Sequence, residues 1–382
     1  MTLASPANDL ALAWPSDDLA LALLLIFVVP CVSLLVGRRK SNFSDRKAPA
    51  SLPAIAAVGP PLGGDALLPA IKEIREHVAE DRLLAAGALL DRVKAGMAAR
   101  PSDPTTSLAA AELGAWSERL AARYATINAR LASLTPTTPG DSGSTSWRCV
   151  FDRDGTQTFV KRDPQSRLLM VKCESELSGV RLEDFLATAR ETHLYHTWFP
   201  NTQRSETLQA ASRLERVFRT VQCVKVPVLG EARYDVLLHC FGCEAIEERG
   251  AFVVSGRSPQ AEELPDLVFP PPENGKRLPM QSLVMLIEPD LAPKAERLRA
   301  TLQIGIDESR FMMPGFVVDF IAATVVSRIF AKQKARARDL RSGKAAEHAA
   351  AMEADPTFYA QWLPARLEQL RAKGVRTRYT GT

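Results

Sequence analysis

Three textures of hydrophobic and polar residues follow one another along the chain. Residues 19–37, LALALLLIFVVPCVSLLVG, carry no charge and are closed at once by Arg38, Arg39 and Lys40. At about 1.5 Å per residue this run spans about 29 Å, close to a bilayer's hydrocarbon core, and so predicts a transmembrane helix. Pro30 is compatible with that, because neighbouring groups satisfy the carbonyl that a proline frees. From 65 to 134 apolar positions recur at steps of three and four, the period of a helix with one buried stripe. From 147 to 307 the pattern shortens to alternating runs rich in β-formers, and over 315–342 a long helical pattern returns.

Charge at the flanks of the first run sets its direction. Asp9, Asp17 and Asp18 precede it with no Lys or Arg, whereas Arg38, Arg39, Lys40, Arg46 and Lys47 follow it. Positive charge on one side only places residues 1–18 in a lumen and everything after Lys40 in the cytosol, as in a single-pass endomembrane protein. A cleaved secretory signal would want a basic start and an apolar core of about 7 to 15 residues, and neither is present. Residues 38–64, with Pro53, Pro60, Pro61, Gly59, Gly63 and Gly64, predict a flexible tether reaching roughly 25 to 30 Å.

The 65–134 segment divides at Arg100-Pro101-Ser102-Asp103-Pro104 into helices over 65–99 and 107–134. Ile71, Ile74, Leu90 and Val93 on one, and Leu113, Trp116, Leu120 and Ile127 on the other, predict an antiparallel hairpin whose stripes cover each other. It serves as a spacer or as a surface for a protein partner. Residues 135–146, TPTTPGDSGSTS, are a linker. Strands are expected at 148–152, 156–162, 168–176, 206–211, 213–224, 234–243, 245–248, 251–258, 281–288 and 300–307, with a helix at 182–193 closed by the aromatic stretch YHTWFP. Consecutive antiparallel strands between helices describe an α+β fold in which a curved sheet wraps the terminal helix. Residues 343–382 form a basic helical tail.

Specific stretches then resemble a known family. Thr197-Trp198-Phe199-Pro200 followed by Glu206-Thr207-Leu208 is similar to the passage from the small helical region into the main sheet of START lipid-transfer domains. Val226 to Asp235 loosely resembles that family's proline and Arg-Asp step, with Tyr234 inserted between Arg233 and Asp235. Residues 297–307, RLRATLQIGID, resemble its penultimate strand, and 312–321, MMPGFVVDFI, its turn into the C-terminal helix. The resemblance covers 147–342 and implies a helix-grip fold, an apolar cavity for one lipid or sterol gated by the C-terminal helix, and no catalytic machinery.

Such a cavity needs an apolar lining with one or two polar anchors, since an unpaired buried polar group costs a few kcal/mol. Met312, Met313, Phe316 and Phe320 are the lining candidates on the last helix, where methionine's flexible thioether suits a surface that repacks. Trp198 and Phe199 join them as ligand contacts. Alternation puts Arg219 with Val217 and Val221 on one strand face. If that face lines the cavity, Arg219 is a phosphate or carboxylate partner; otherwise it is a surface arginine. Arg233 and Asp235 share a face, as an ion pair or as further ligand contacts.

Net charge of +4 is small and unevenly placed, and its clusters point to an anionic leaflet more than to nucleic acid. Lys332, Lys334, Arg336 and Arg338 at the end of the last helix are the candidates for membrane docking. Cys240 and Cys243 form a CxxC within a strand pattern, without the second ligand pair that zinc requires. His193 and His196 lack further metal ligands at suitable spacing. No Gly-x-Ser-x-Gly elbow, phosphate loop or dinucleotide glycine signature occurs. The expectation is a membrane-anchored lipid carrier that is not an enzyme, with neither cofactor nor metal, and a scaffold acting through 65–134 as the alternative.

Overall fold

A computed structural model describes residues 59–134, 147–153, 155–163, 168–226, 230–273, 277–307, 315–375 and 377–379. The segments expected to be lumenal and transmembrane, nearly all of the expected tether and the expected 135–146 linker lie outside these residues. Among the described residues no helix is long and apolar enough to cross a membrane.

Where two helices were expected over 65–134, three segments form, α1 (Gly64–Ala79), α2 (Leu83–Ala99) and α3 (Pro104–Leu134), the last broken by a kink at Gly114, φ 45°. The break falls at Asp81, whose φ of 57° is left-handed. A non-glycine residue holds that conformation only when its surroundings enforce it. Its carbonyl accepts the Glu244 N–H at 2.9 Å, and its carboxylate lies 3.3 Å from both Arg213 and Ser212. The turn folds α1 back on α2. Gly87 lets α2 meet α3 closely, because a Cβ there would lie 2.2 Å from the ring Cγ of Tyr124.

The strands are β1 (Arg148–Arg153), β2 (Thr156–Asp163), β3 (Leu168–Ser178), β4 (Thr202–Ala210), β5 (Glu215–Val226), β6 (Gly230–Ala245), β7 (Ala251–Arg257), β8 (Ser282–Pro289) and β9 (Arg297–Asp307). Helix α4 (Leu182–Arg190) and a 3₁₀ segment (Thr192–Thr197) separate β3 from β4. After β9 come α5 (Gly315–Arg341), α6 (Ala346–Ala354) and α7 (Leu363–Ala372). The strands make one curved antiparallel sheet in the order β1-β2-β3-β9-β8-β7-β6-β5-β4. Two meanders, β1 to β3 and β4 to β9, are joined where β3 pairs with β9. The expected strand at 245–248 is instead a helical turn, Ile246–Arg249. Glu244 Oε1 accepts the Ile246 N–H at 2.8 Å to start it, and Gly250 at φ 68° ends it.

Register fixes which side chains share a face. Leu169, Val171, Cys173, Phe252, Ile287, Ala300 and Leu302 point to the side packed by Phe185 of α4, Phe330 of α5 and Leu370 of α7. Cys243, Ala245, Ala251, Val253, Val284 and Leu286 point the other way, onto Leu67, Leu90 and Ile127 of the first three helices. Full burial of each large aliphatic or aromatic side chain stabilises by about 1.5–3 kcal/mol. The apolar stripe of 65–134 is therefore occupied by the sheet, and that segment is a layer of the same folded unit.

On this second face β3, β8 and β9 carry a charged group: Glu174 pairs with Lys172 and Arg299, and Glu288 lies 3.8 Å from Arg299. Burial pushes the Glu288 carboxyl up to about 7; Arg299 opposes the shift, and Glu176 and Glu174 add to it. Glu288 is 8% exposed, so the folded state keeps this proton at pH values where the unfolded chain has lost it. The associated stability is fully present below about pH 4.5 and is lost as pH rises through about 7, about 3 kcal/mol in all. Chemical denaturation between pH 5 and 8 should show this decline, and Glu288→Gln should remove it. An unchanged slope in the variant would assign the pH dependence elsewhere.

Candidate functional site

The α5 side of β4, β5 and β6 is built from opposed residues. Phe218 stands opposite Leu238 and Thr220 opposite Val236, while Gln222 lies between Thr202 on one side and Tyr234 on the other. Across the neighbouring strands Val254 stands opposite Met285, and Leu283 lies between Gly256 and Ile304. Phe218, Val236 and Leu238 are buried, but Val254, Leu283, Met285 and Ile304 are only half-buried at the centre of the sheet. These side chains are neutral, but the row through Ile304, Leu283 and Gly256 continues across Cys240 to Arg216, a cation on this face. Arg216 and Glu244 stand on the same face nearer its other end, held by the Ser212 and Glu215 carbonyls and by Arg366 respectively.

An aromatic group closes the β4 to β6 end of this face. The 3₁₀ segment is tied to β4 by the Thr192–Thr207 hydroxyl pair at 2.7 Å and by Ser205, whose hydroxyl donates to the Thr192 carbonyl. Tyr195 then packs edge-on against Phe218 and Trp198, with ring centroids 5.5 Å and 5.2 Å away, and stacks on Phe199 at 5.8 Å. Its hydroxyl donates to the Ala189 carbonyl at 2.6 Å, and burial pushes that phenol far above its ordinary pKa. Trp198 and Phe199 thus join one cluster at the site. Met312 and Met313 lie outside the described residues. Phe316 and Phe320 belong to the first turns of α5, and their side chains lie outside what is described.

The two arginine candidates stand elsewhere. Register places Arg219 on the face away from α5, in line with His239 and Phe241, because it shares a side with Val217, Val221 and Asp235. There it is buried, and it is not the surface arginine that one expectation held. Its Nε donates to Asp235 at 2.6 Å, its Nη1 to Glu206 at 3.2 Å and its Nη2 to the Pro271 carbonyl at 3.2 Å. Arg277 donates to the other Asp235 oxygen at 3.0 Å. Arg233 does not pair with Asp235; it reaches Glu273 at 3.3 Å. The whole cluster pins the 258–281 loop to the outer face.

Of the docking candidates, Lys332 is exposed on α5. Arg336 lies 3.4 Å from Glu347 and 3.3 Å from His348 Nδ1, and Arg338 donates to the Ser178 carbonyl at 2.6 Å. Those two guanidinium groups hold α5 to α6 and to the end of β3. Cys240 and Cys243, three apart on β6, point to opposite faces, so no metal or disulfide joins them. Burial pushes the Cys240 thiol up to about 12 and that of Cys243 higher still, which keeps both protonated. Among the described residues no group of three or more metal-type ligands forms. A polar groove of about 430 Å³ runs between α1 and α7, lined by Glu76, His77, Glu80, Arg82, Trp362 and Arg366 among others. Its Arg82 and Arg366 are paired with Glu244 and Glu247, so it is a charged seam between layers and not a lipid site.

Sequence reasoning missed Thr202 and Tyr234, which become neighbours of Gln222 only through strand register. It also missed Val254, Leu283, Met285 and Ile304, which alternate like their fully buried neighbours.

No family model matches the chain, and no curated protein is similar to it in sequence. Solved structures to which it is similar include a STAR-related lipid transfer protein fragment from Xanthomonas axonopodis, at 19% identity and a TM-score of 0.39, covering 50% of this chain and 98% of that one. Human StAR-related lipid transfer protein 5 is similar at 13% identity and a TM-score of 0.45, covering 58% and 97%. Human STARD10 is similar at 15% identity and a TM-score of 0.44, covering 57% and 81%.

Proposed function

We propose that this chain is a lipid or sterol carrier of START type, tethered to a membrane by residues 19–37, with its folded part in the cytosol. The ligand would lie between this face of the sheet and α5, whose first turns, with Met312, Met313, Phe316 and Phe320, would form the gate. The observation that carries this reading is the patch made by two adjacent pairs, Val254 with Met285 and Leu283 with Ile304. These apolar side chains stay half-buried at the centre of a sheet whose flanks are closed, and an apolar lining with few polar groups is what a lipid-sized guest requires. Neither cofactor nor catalysis is part of the proposal: Cys173 and Cys240, on the strands to either side of this patch, are kept protonated by burial and are poor nucleophiles. The scaffold alternative is weakened because helices α1 to α3 turn their apolar stripe onto β6 to β8 and not toward a partner.

The test is lipid uptake by the full-length chain in detergent micelles, read by native mass spectrometry after exposure to mixed vesicles. Met285→Trp adds bulk to the lining and should reduce the lipid-loaded fraction at least fivefold. Its Tm should move by only a few degrees, because a half-buried position tolerates volume better than a packed core. Full loading of a folded Met285→Trp protein would remove the ligand from this patch.

A further inference from the structure

Resting on that reading, we infer that the site selects a lipid whose polar end is uncharged, and that the indole N–H of Trp198 donates to its hydroxyl or carbonyl oxygen. Trp198 is 8% exposed, and its Nε1 is buried without any hydrogen-bond partner. A buried donor left unpaired is costly, and a group kept in that state calls for an acceptor that the protein itself does not supply. The ring packs edge-on against Tyr195, which in turn packs on Phe218 of the α5-side face, so the donor belongs to the closed end of the proposed site.

A second orphan lies four residues on. Thr202 Oγ1 is also buried without a partner, and Thr202 stands directly opposite Gln222, itself opposite Tyr234. A hydroxyl, a carboxamide and a phenol therefore form one row across β4, β5 and β6 on the same face. All of these groups are neutral. Of the β5 arginines, Arg219 faces the other side and is held by Asp235 and Glu206, while Arg216 shares this face but stands six residues along the strand from Gln222 and donates to the Ser212 and Glu215 carbonyls. Burying an ionised phosphate beside neutral donors alone would leave its charge uncompensated, whereas a sterol hydroxyl or an acylglycerol ester needs no more than one or two such donors.

The experiment compares affinities of the full-length chain for four probes presented in neutral vesicles: cholesterol, dioleoylglycerol, phosphatidic acid and the oxygen-free sterane 5α-cholestane. Wild type should bind cholesterol or dioleoylglycerol at least tenfold tighter than phosphatidic acid. Trp198→Phe keeps the ring and deletes the donor; it should weaken the preferred neutral lipid about tenfold, leave 5α-cholestane unchanged, and hold or raise Tm. A loss confined to cholesterol identifies a hydroxyl acceptor, and one confined to dioleoylglycerol an ester carbonyl; either supports the assignment. Thr202→Val, a near-isosteric change at a second orphan, should cost the same lipid threefold or more and decides the matter if Trp198→Phe does not fold. Equal losses for cholesterol and 5α-cholestane would reduce Trp198 to packing and overturn the assignment. So would a preference for phosphatidic acid, with lipid carriage itself standing. Failure of wild type to take up any probe would overturn the carrier reading and this one together.

Discussion

Asp235→Ala is expected to destabilise the protein by about 3–5 kcal/mol, the cost of leaving buried cations without their counter-charge. Asp235 is fully buried and serves four groups: the Arg219 and Arg277 side chains through its carboxylate, the Glu273 N–H at 3.2 Å, and the Leu278 N–H through its own carbonyl. Arg219 and Arg277 in turn hold the Pro271 and Pro270 carbonyls, so one carboxylate fixes the course of the 258–281 loop. Tm should fall by roughly 10 °C or more, and limited proteolysis should open that loop before the rest of the domain. Asp235→Asn keeps an acceptor and should lose less. Because the cluster lies on the face away from α5, any folded Arg219→Gln protein should load lipid as wild type does. Loss of lipid from a variant of unchanged stability would return Arg219 to the site.

The contrast between Arg219 and Trp198 shows what could be read from one dimension. Alternation correctly grouped Arg219 with Val217 and Val221, but which side of the sheet that group faces depends on partners in β6 and in the 258–281 loop, tens of residues away. The strand runs, the α5 limits and the aromatic close of the 3₁₀ segment were legible because each is a local pattern of burial or capping. The break at Asp81 was not, since no Gly or Pro marks it and the force that bends the chain comes from Glu244, Arg213 and Ser212. The same holds for half-buried Met285 and Ile304. Their accessibility reflects what covers the sheet, and nothing in their own sequence differs from that of Leu302 or Ile287.

Arg366→Ala should be the other large loss, again about 3–5 kcal/mol, and it bears on what the aromatic and basic tail is for. As a surface for lipid, the tail would present its aromatics and cations outward. Instead Phe358 is fully buried with the Arg190 guanidinium 4.2 Å from its ring centre, Trp362 donates to Glu80 at 2.8 Å, and Tyr379 donates to Glu176 at 2.7 Å. Arg366 is the centre of this attachment. Its Nε and Nη2 lie 2.9 Å and 2.7 Å from one oxygen of the fully buried Glu244, and Nη2 also reaches Glu247 at 2.7 Å. Without it, Glu244 keeps, among the described residues, only Arg82, at 3.7 Å, as a cationic partner. Arg366→Lys should recover part of the loss at best, because an ammonium lacks the planar fork that serves both glutamates. In the alanine variant, hydrogen exchange should rise first in α7 and in the 357–362 turn, ahead of the β3–β9 strands, with binding of the folded protein to anionic vesicles unchanged. An Arg366→Ala protein of full stability that no longer binds such vesicles would reverse the assignment and make the tail a membrane contact.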